Sequence, residues 1–330
     1  MNVEEWFEKN KYKSESFRDI DRLVKLKQEN KDSISVVIPT LNEEKTVAKV
    51  IQEIKIPLMD KKKLVDEIIV IDSGSTDNTK EVAEQAGAKF VYSKDVLKKY
   101  EEIKGKGENL WKSVHVAKGS IICWVDADIK NIHPRFVYGL IGPLLTNKNI
   151  KFTKAFYQRP IKVGEELAPL GGGRVTELLI RPLFNMYFPR LSGFIQPLSG
   201  EYAGRREVLE KIPFFTGYGV ETAMLIDIQK KFGLRVCAQV DLKKRIHRNQ
   251  NIQSLSKMSF GILGVFAKRA NALGKLILVR QIKQKLRIIE AENDNYKIRE
   301  LKIVDKQRPP MITIPEYRRK FKKEPSWYYI

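Results

Sequence analysis

Two carboxylates one residue apart, Asp126 and Asp128, follow directly on the apolar run Ile121-Ile122-Cys123-Trp124-Val125. A short run of β-branched and aromatic residues reads as a buried strand. The carboxylates then emerge at its C-terminal edge, where open α/β sheets hold their ligands. Hard oxygens there suit Mg2+ or Mn2+ carrying a diphosphate. Alone, Asp-x-Asp is as much at home in a helix cap or turn. Two further loops shift that balance: Pro39-Thr40-Leu41-Asn42-Glu43-Glu44 and Asp72-Ser73-Gly74-Ser75-Thr76-Asp77-Asn78-Thr79, each after an apolar strand. In a parallel sheet all three loops converge on one edge. An acid there can accept hydrogen bonds from a ribose or base, and small residues let backbone N–H groups reach a phosphate. Asn42, Asp77 and Asn78 are also good helix caps, but capping does not predict all three loops together.

The elements that must position these loops are legible as an alternation. Strands are expected at 34–38 (stopped by Pro39), 66–71, 89–92 and 121–125, with helices at 43–55, 79–85 (ended by Gly87) and 109–117. Short apolar strands alternating with such helices indicate a right-handed parallel α/β sheet. The fold class expected is Rossmann-like, with a mainly parallel central sheet, helices on both faces and a C-terminal helical extension. Beyond residue 150 the pattern is mixed: strands at 151–157 and 236–240, a hinge at Gly171-Gly172-Gly173, and a helix at 176–187 despite Pro182. Helical periodicity runs over 254–290 through Leu255, Met258, Ile262, Leu263 and Phe266. Four parts are therefore expected: a helical segment 1–32, a nucleotide-binding half 33–150, a second half 151–253, and C-terminal helices with a basic, aromatic tail 254–330.

Sixty-one basic residues against 40 acidic give a net charge of +21, which attracts anions of any kind. No helix-turn-helix, zinc-finger or RNP pattern organises it, and Lys61-Lys62-Lys63, Lys243-Lys244-Arg245 and Arg318-Arg319-Lys320 read as solvated faces. No apolar stretch approaches the ~18 residues of a membrane span, and Met1-Asn2-Val3-Glu4-Glu5-Trp6 lacks a signal peptide's basic start. Cys123 and Cys237 lie in apolar segments and read as buried thiols. A cytoplasmic protein with neither membrane nor nucleic acid as partner is expected.

In their order, the three loops resemble those of the nucleotide-sugar-dependent glycosyltransferases with an A-type fold. Later segments narrow the resemblance to the glucosyl-3-phosphoglycerate synthase family: 171–178 (Gly-Gly-Gly-Arg-Val-Thr-Glu-Leu), 196–202 (Gln-Pro-Leu-Ser-Gly-Glu-Tyr), 217–221 (Gly-Tyr-Gly-Val-Glu) and His247-Arg248-Asn249. It covers about residues 17–270, and Ala127 stands where a serine is expected. The resemblance implies retaining, metal-dependent transfer of glucose from UDP-glucose, or another NDP-glucose, to 3-phosphoglycerate. The product would be a precursor of the compatible solute glucosylglycerate. Mannosyl transfer from GDP-mannose is the alternative; a polyprenyl-phosphate acceptor or a nucleic-acid-binding role is more remote.

Carried over residue by residue, Pro39, Thr40, Leu41, Glu43, Asp72, Ser73, Lys106, Asp126, Ala127, Tyr218 and Glu221 would bind the nucleotide-sugar. Gly173, Arg174, Thr176 and Asn249 would bind the acceptor, with Asp126, Glu221 and Arg174 catalytic. Asp128 and His247 would hold Mg2+ or Mn2+, while His115 and His133 read as structural. Without the resemblance, Lys106 between Gly105 and Gly107 is simply a flexible loop. The family also implies a homodimer. The tail aromatics Trp327, Tyr328 and Tyr329, with Arg318-Arg319-Lys320 and Lys322-Lys323, are expected to pack on the helix 254–290 or on a second subunit. Deleting 308–330 would then leave the chemistry in place.

Overall fold

The computed structural model describes residues 1–158, 161–163, 166–168, 173–246, 251–292 and 295–323, the two triplets as backbone only. The strands are β1 (Lys11–Lys13), β2 (Ile34–Thr40), β3 (Glu67–Asp72), β4 (Lys89–Tyr92), β5 (Ile121–Trp124), β6 (Phe152–Gln158), β7 (Ile161–Val163), β8 (Glu166–Ala168), β9 (Tyr202–Arg205), β10 (Phe214–Phe215), β11 (Cys237–Lys244), β12 (Lys285–Glu292), β13 (Asn295–Lys302) and β14 (Gln307–Arg308). The helices are α1 (Val3–Lys9), α2 (Ile20–Glu29), α3 (Val47–Ile54), α4 (Thr79–Gln85), α5 (Lys106–Val116), α6 (Arg135–Thr146), α7 (Arg181–Tyr187), α8 (Arg206–Leu209), α9 (Val220–Phe232), α10 (Ile252–Ala272) and α11 (Pro315–Phe321).

An eight-stranded sheet runs β1-β11-β6-β9-β5-β2-β3-β4. Every pair is parallel except those of β9, which lies antiparallel between β5 and β6. Side chains alternate across it as a strand's pleat requires. Val37, Ile69 and Ile71 enter one core with Trp111, Trp124, Phe152 and Tyr202, while Val36, Ile38, Ile68 and Val70 enter the other with Ile51, Phe136 and Leu140. Burial on both faces is why these strands read as unbroken apolar runs. Among the described residues, no helix is long and apolar enough to cross a membrane.

Several expectations shift. Pro39 does not stop β2: it pairs opposite Ile71, and the strand ends at Thr40. β5 pairs only as far as Val37, so beyond it β2 has an open side where a missing N–H is tolerated. Residues 43–46 form a turn and α3 starts at Val47. The segment 1–32 is not wholly helical, because β1 adds an edge strand beside β11, anchored where Trp6 Nε1 and Asn10 Nδ2 donate to Cys237 O at 2.8 and 2.7 Å. Three residues are too few to show an alternation. The helix expected over 254–290 ends at Ala272, with Gly274 in the left-handed region at φ +65°. The hairpin β12–β13 follows, in register from Lys285↔Lys302 to Glu292↔Asn295. Its mixed charged and apolar residues satisfy a helical period as well as a strand's.

Candidate active site

The loops after β2, β3 and β5 do meet, at the C-terminal edge of the sheet. They line a cleft of about 620 Å3 bounded by Pro39, Thr40, Leu41, Glu43, Ser73, Lys106, Asp126, Ala127, Asp128 and Tyr218. A neighbouring hollow of about 800 Å3 shares Glu43, Asp128 and Tyr218 with it. Asp72 braces the cleft from behind instead of lining it. Its oxygens accept from Gly74 N, Ser75 N, Ser75 Oγ and Thr40 Oγ1 at 2.5–3.0 Å, which sets the loop's shape. Ser73 is the residue of that pair that faces the cleft.

Charge is arranged in alternating sign. Lys106 Nζ lies 2.8 Å from Asp126 and 3.2 Å from Glu221. Burial opposes charge on the Asp126 carboxyl, but Lys106 and Arg245 outweigh it and hold that carboxyl well below its ordinary range. Burial likewise works against the Lys106 ammonium, and Asp126 and Glu221 keep it protonated. Arg245 bridges Asp126 and Asp128 at 2.9 Å each and reaches Glu201 at 3.0 Å. Asp128 is pushed up, first by burial and also by Asp126, against the pull of Arg245. Glu43 is raised by burial and feels both Asp128 and Asp126. Beneath the cleft Lys154 Nζ donates to Ser199 O at 2.7 Å, and burial lowers it to about 7.

A metal fits this electrostatics. Glu43 and Asp128, both raised first by burial, bring hard carboxylate oxygens to the same cleft as Asp126, and Asp128 keeps about a third of its side chain exposed. Mg2+ commonly takes one or two carboxylates plus substrate phosphates. Among the described residues no group of three His, Cys, Asp or Glu forms a complete site. His247, Arg248 and Asn249, and the glycines Gly171 and Gly172, lie outside the described residues. Gly173, at φ +90°, leads into the turn Thr176–Ile180 with Arg174 exposed and Thr176 buried. None of the three lines either hollow.

The residues matching the model of glycosyl transferase family 2 are 35–212. A glucosyl-3-phosphoglycerate synthase of Petrotoga mobilis is 54% identical over 316 residues, 96% of this chain and 97% of that protein. The chain belongs to the glucosyl-3-phosphoglycerate synthase family. Among solved structures, a mannosyl-3-phosphoglycerate synthase from Rubrobacter xylanophilus superposes with TM-score 0.86 at 36% identity, covering 94% of this chain and 97% of that one. A glucosyl-3-phosphoglycerate synthase from Mycobacterium tuberculosis, in complex with Mn2+, UDP and phosphoglyceric acid, gives 0.78 at 40% identity over 88% and 94%. The A-type fold expected from the three loops is the observed one, and the antiparallel β9 is its one reversed strand.

Glucosyl-3-phosphoglycerate synthase motifs in the sequence did not single out Arg245, Glu201 or Lys154. Arg245 belongs to the Lys243-Lys244-Arg245 run read as solvated. The pairing of β11 with β6 shifts register between Asp241 and Lys244, and Lys243 takes φ +69°. That irregularity turns Arg245 into the core, and no period in the sequence announces it. Glu201 sat inside a quoted motif, beside Gly200, whose Cβ would fall 2.0 Å from Asp126.

Proposed function

We propose that this chain transfers glucose from UDP-glucose to the hydroxyl of 3-phosphoglycerate with retention, using Mg2+ or Mn2+. Identity of 54% to a glucosyl-3-phosphoglycerate synthase along nearly its whole length carries the reading. The cleft supports it. Thr40, Leu41 and Ser73 form the nucleoside side and Lys106 and Asp126 the sugar side, with Glu221 buried behind Lys106. Glu221, anchored to Lys106, accepts hydrogen bonds from sugar hydroxyls. Asp126, held ionised by two cations, accepts from ribose or sugar, and Asp128 with His247 would hold the metal. When bound, the metal neutralises charge gathering on the leaving diphosphate. Arg174, Thr176, Gly173 and Asn249 would fix the acceptor's carboxylate and phosphate. Among the described residues Asp126 and Glu221 are both engaged by Lys106, which is compatible with a reaction that uses no carboxylate nucleophile. The family resemblance supports substitution on the donor's front face, with the leaving phosphate oxygen taking the acceptor's proton. Two free, buried cysteines fit a cytoplasmic protein. Ile289, Tyr296 and Ile298, exposed on β12–β13, support a homodimer.

The shape similarity at TM-score 0.86 favours a second reading, mannose transfer from GDP-mannose to the same acceptor. Nucleotide release with UDP-, GDP- and ADP-sugars against 3-phosphoglycerate separates the two: UDP release with UDP-glucose alone is expected. GDP release with GDP-mannose and none with UDP-glucose would replace the first reading. For the metal, Asp128→Ala is expected to abolish transfer while the melting transition persists, because Asp128 is a partly exposed ligand and not core. Full activity of that variant in excess Mg2+, or of the wild type in EDTA, would overturn the assignment.

A further inference from the structure

The turn that carries Tyr218 and leads into α9, with Glu221 in its first turn, is held from outside. Asp305 Oδ1 accepts from Gly217 N at 2.7 Å and Thr216 Oγ1 at 3.4 Å, while Oδ2 accepts from Gly219 N at 3.2 Å. Lys306 closes the same strap: Thr216 N donates to Lys306 O at 2.9 Å and Lys306 N to Thr216 Oγ1 at 3.0 Å. The turn in turn backs the loop of Lys106. Glu108 N donates to Thr216 O at 3.1 Å, and a Cβ on Gly105 would stand 2.3 Å from that oxygen. Asp305 also borders the cleft, with Lys302, Ile303 and Val304 beside it. It lies past residue 212, where the family 2 match ends.

We propose that Asp305 is a positioning residue for glycosyl transfer, its carboxylate setting the Thr216–Gly219 turn and thereby placing Glu221 and Lys106 against the donor sugar. A buried carboxylate accepting two backbone N–H groups at the start of a helix is a strong and directional clamp. Met311, Ile312 and Tyr317, farther along the strap, are themselves buried and are expected to keep it docked when the Asp305 carboxylate is removed. The inference rests on the donor assignment above.

The test uses the full chain with Asp305→Ala and Asp305→Asn, following nucleotide release, UDP and UDP-glucose affinity by calorimetry, and melting. Asp305→Ala is expected to lower kcat/KM for UDP-glucose roughly ten- to a hundredfold. The KM for 3-phosphoglycerate is expected to hold, and UDP alone to bind nearly as before, since the displaced groups face the sugar. Asp305→Asn, which keeps one carbonyl oxygen for one N–H, is expected to recover part of the loss, and it stands in should the alanine variant not fold. Unchanged UDP-glucose kinetics in either folded variant would overturn the proposal. So would equal losses for donor, acceptor and UDP tracking a lowered melting temperature. A wild type inert toward UDP-glucose would instead refute the donor assignment, and the same comparison would then be made with whichever nucleotide-sugar it does turn over.

Discussion

Arg245 touches three carboxylates, and its removal would leave the half-buried Asp126 and Asp128 and the buried Glu201 without their shared cation. Such groups are legible in a sequence only as to type, because a lysine or arginine looks the same whether it is solvated or turned inward. Lys106 illustrates the same point through its neighbours. The glycines flanking it suggest mobility, yet the structure gives them a packing reason: a Cβ on Gly107 would stand 1.8 Å from Phe215 O. The chemistry-bearing acids were legible because strand, loop and helix signals bracketed each of them. Arg174 carries the acceptor prediction. It is exposed beside Gly173 and apart from both hollows. Arg174→Ala is expected to raise the KM for 3-phosphoglycerate or lower the corresponding kcat/KM about ten- to a hundredfold, with UDP-sugar binding nearly unchanged. A lost charged hydrogen bond costs roughly 1.5–3 kcal/mol. Isothermal titration showing UDP binding weakened by the same factor would put this arginine on the donor side.

Among the elements, those bounded by clear punctuation were readable almost to the residue. α4 and β4 stand where Asn78, Gly87 and the apolar spacing put them. Elements that depend on partners were not. β1 exists because β11 offers an edge, and β14 because β10 does. α9 and α10 pack together through an ion pair that the amphipathic pattern does not show, Asp227 with Arg269 at 2.8 Å, both largely buried. Burial pushes the Asp227 carboxyl up to about 6 from 3.8, and Arg269 only partly offsets it. A carboxyl raised on folding contributes stability that is fully present below its unfolded value and is lost as pH rises through the folded one. Across about pH 4 to 6.5 the wild type should therefore lose stability relative to Asp227→Asn. Denaturant melts of both proteins at several pH values measure the difference. A difference that stays flat, or that favours the wild type as pH rises, would show that Asp227 is not buried as a strained acid.

At the scale of the whole molecule, residues 308–317 of the C-terminal tail pack into the core. The basic, proline-broken sequence suggested an arm whose aromatics seek a partner, and deletion of 308–330 that spares the chemistry. Trp327, Tyr328 and Tyr329 lie outside the described residues, but Met311, Ile312, Ile314 and Tyr317 are buried in this same chain, and Tyr317 Oη donates to Glu210 at 2.6 Å. Trp111 Nε1 donates to Pro309 O at 2.9 Å, and Arg308 pairs with the buried Glu108 through Nε and Nη2 at 2.7 and 2.8 Å. The sequence hid this because the apolar positions are few and separated by charge, so no period emerges. The magnitudes decide the consequence. Four buried side chains at ~1.5–3 kcal/mol each amount to roughly 6–12 kcal/mol, comparable to the about 5–15 kcal/mol that holds a typical domain together. Removing Arg308 besides leaves Glu108, among the described residues, with Lys112 at 3.3 Å as its cation. Deletion of 308–330 is thus expected to abolish cooperative melting and transfer together, in monomer and dimer alike. A truncated protein that melts within a few degrees of the full chain and still releases UDP would show that these contacts contribute little. The packing of α5, and with it the seat of Lys106, would then have to come from the sheet alone.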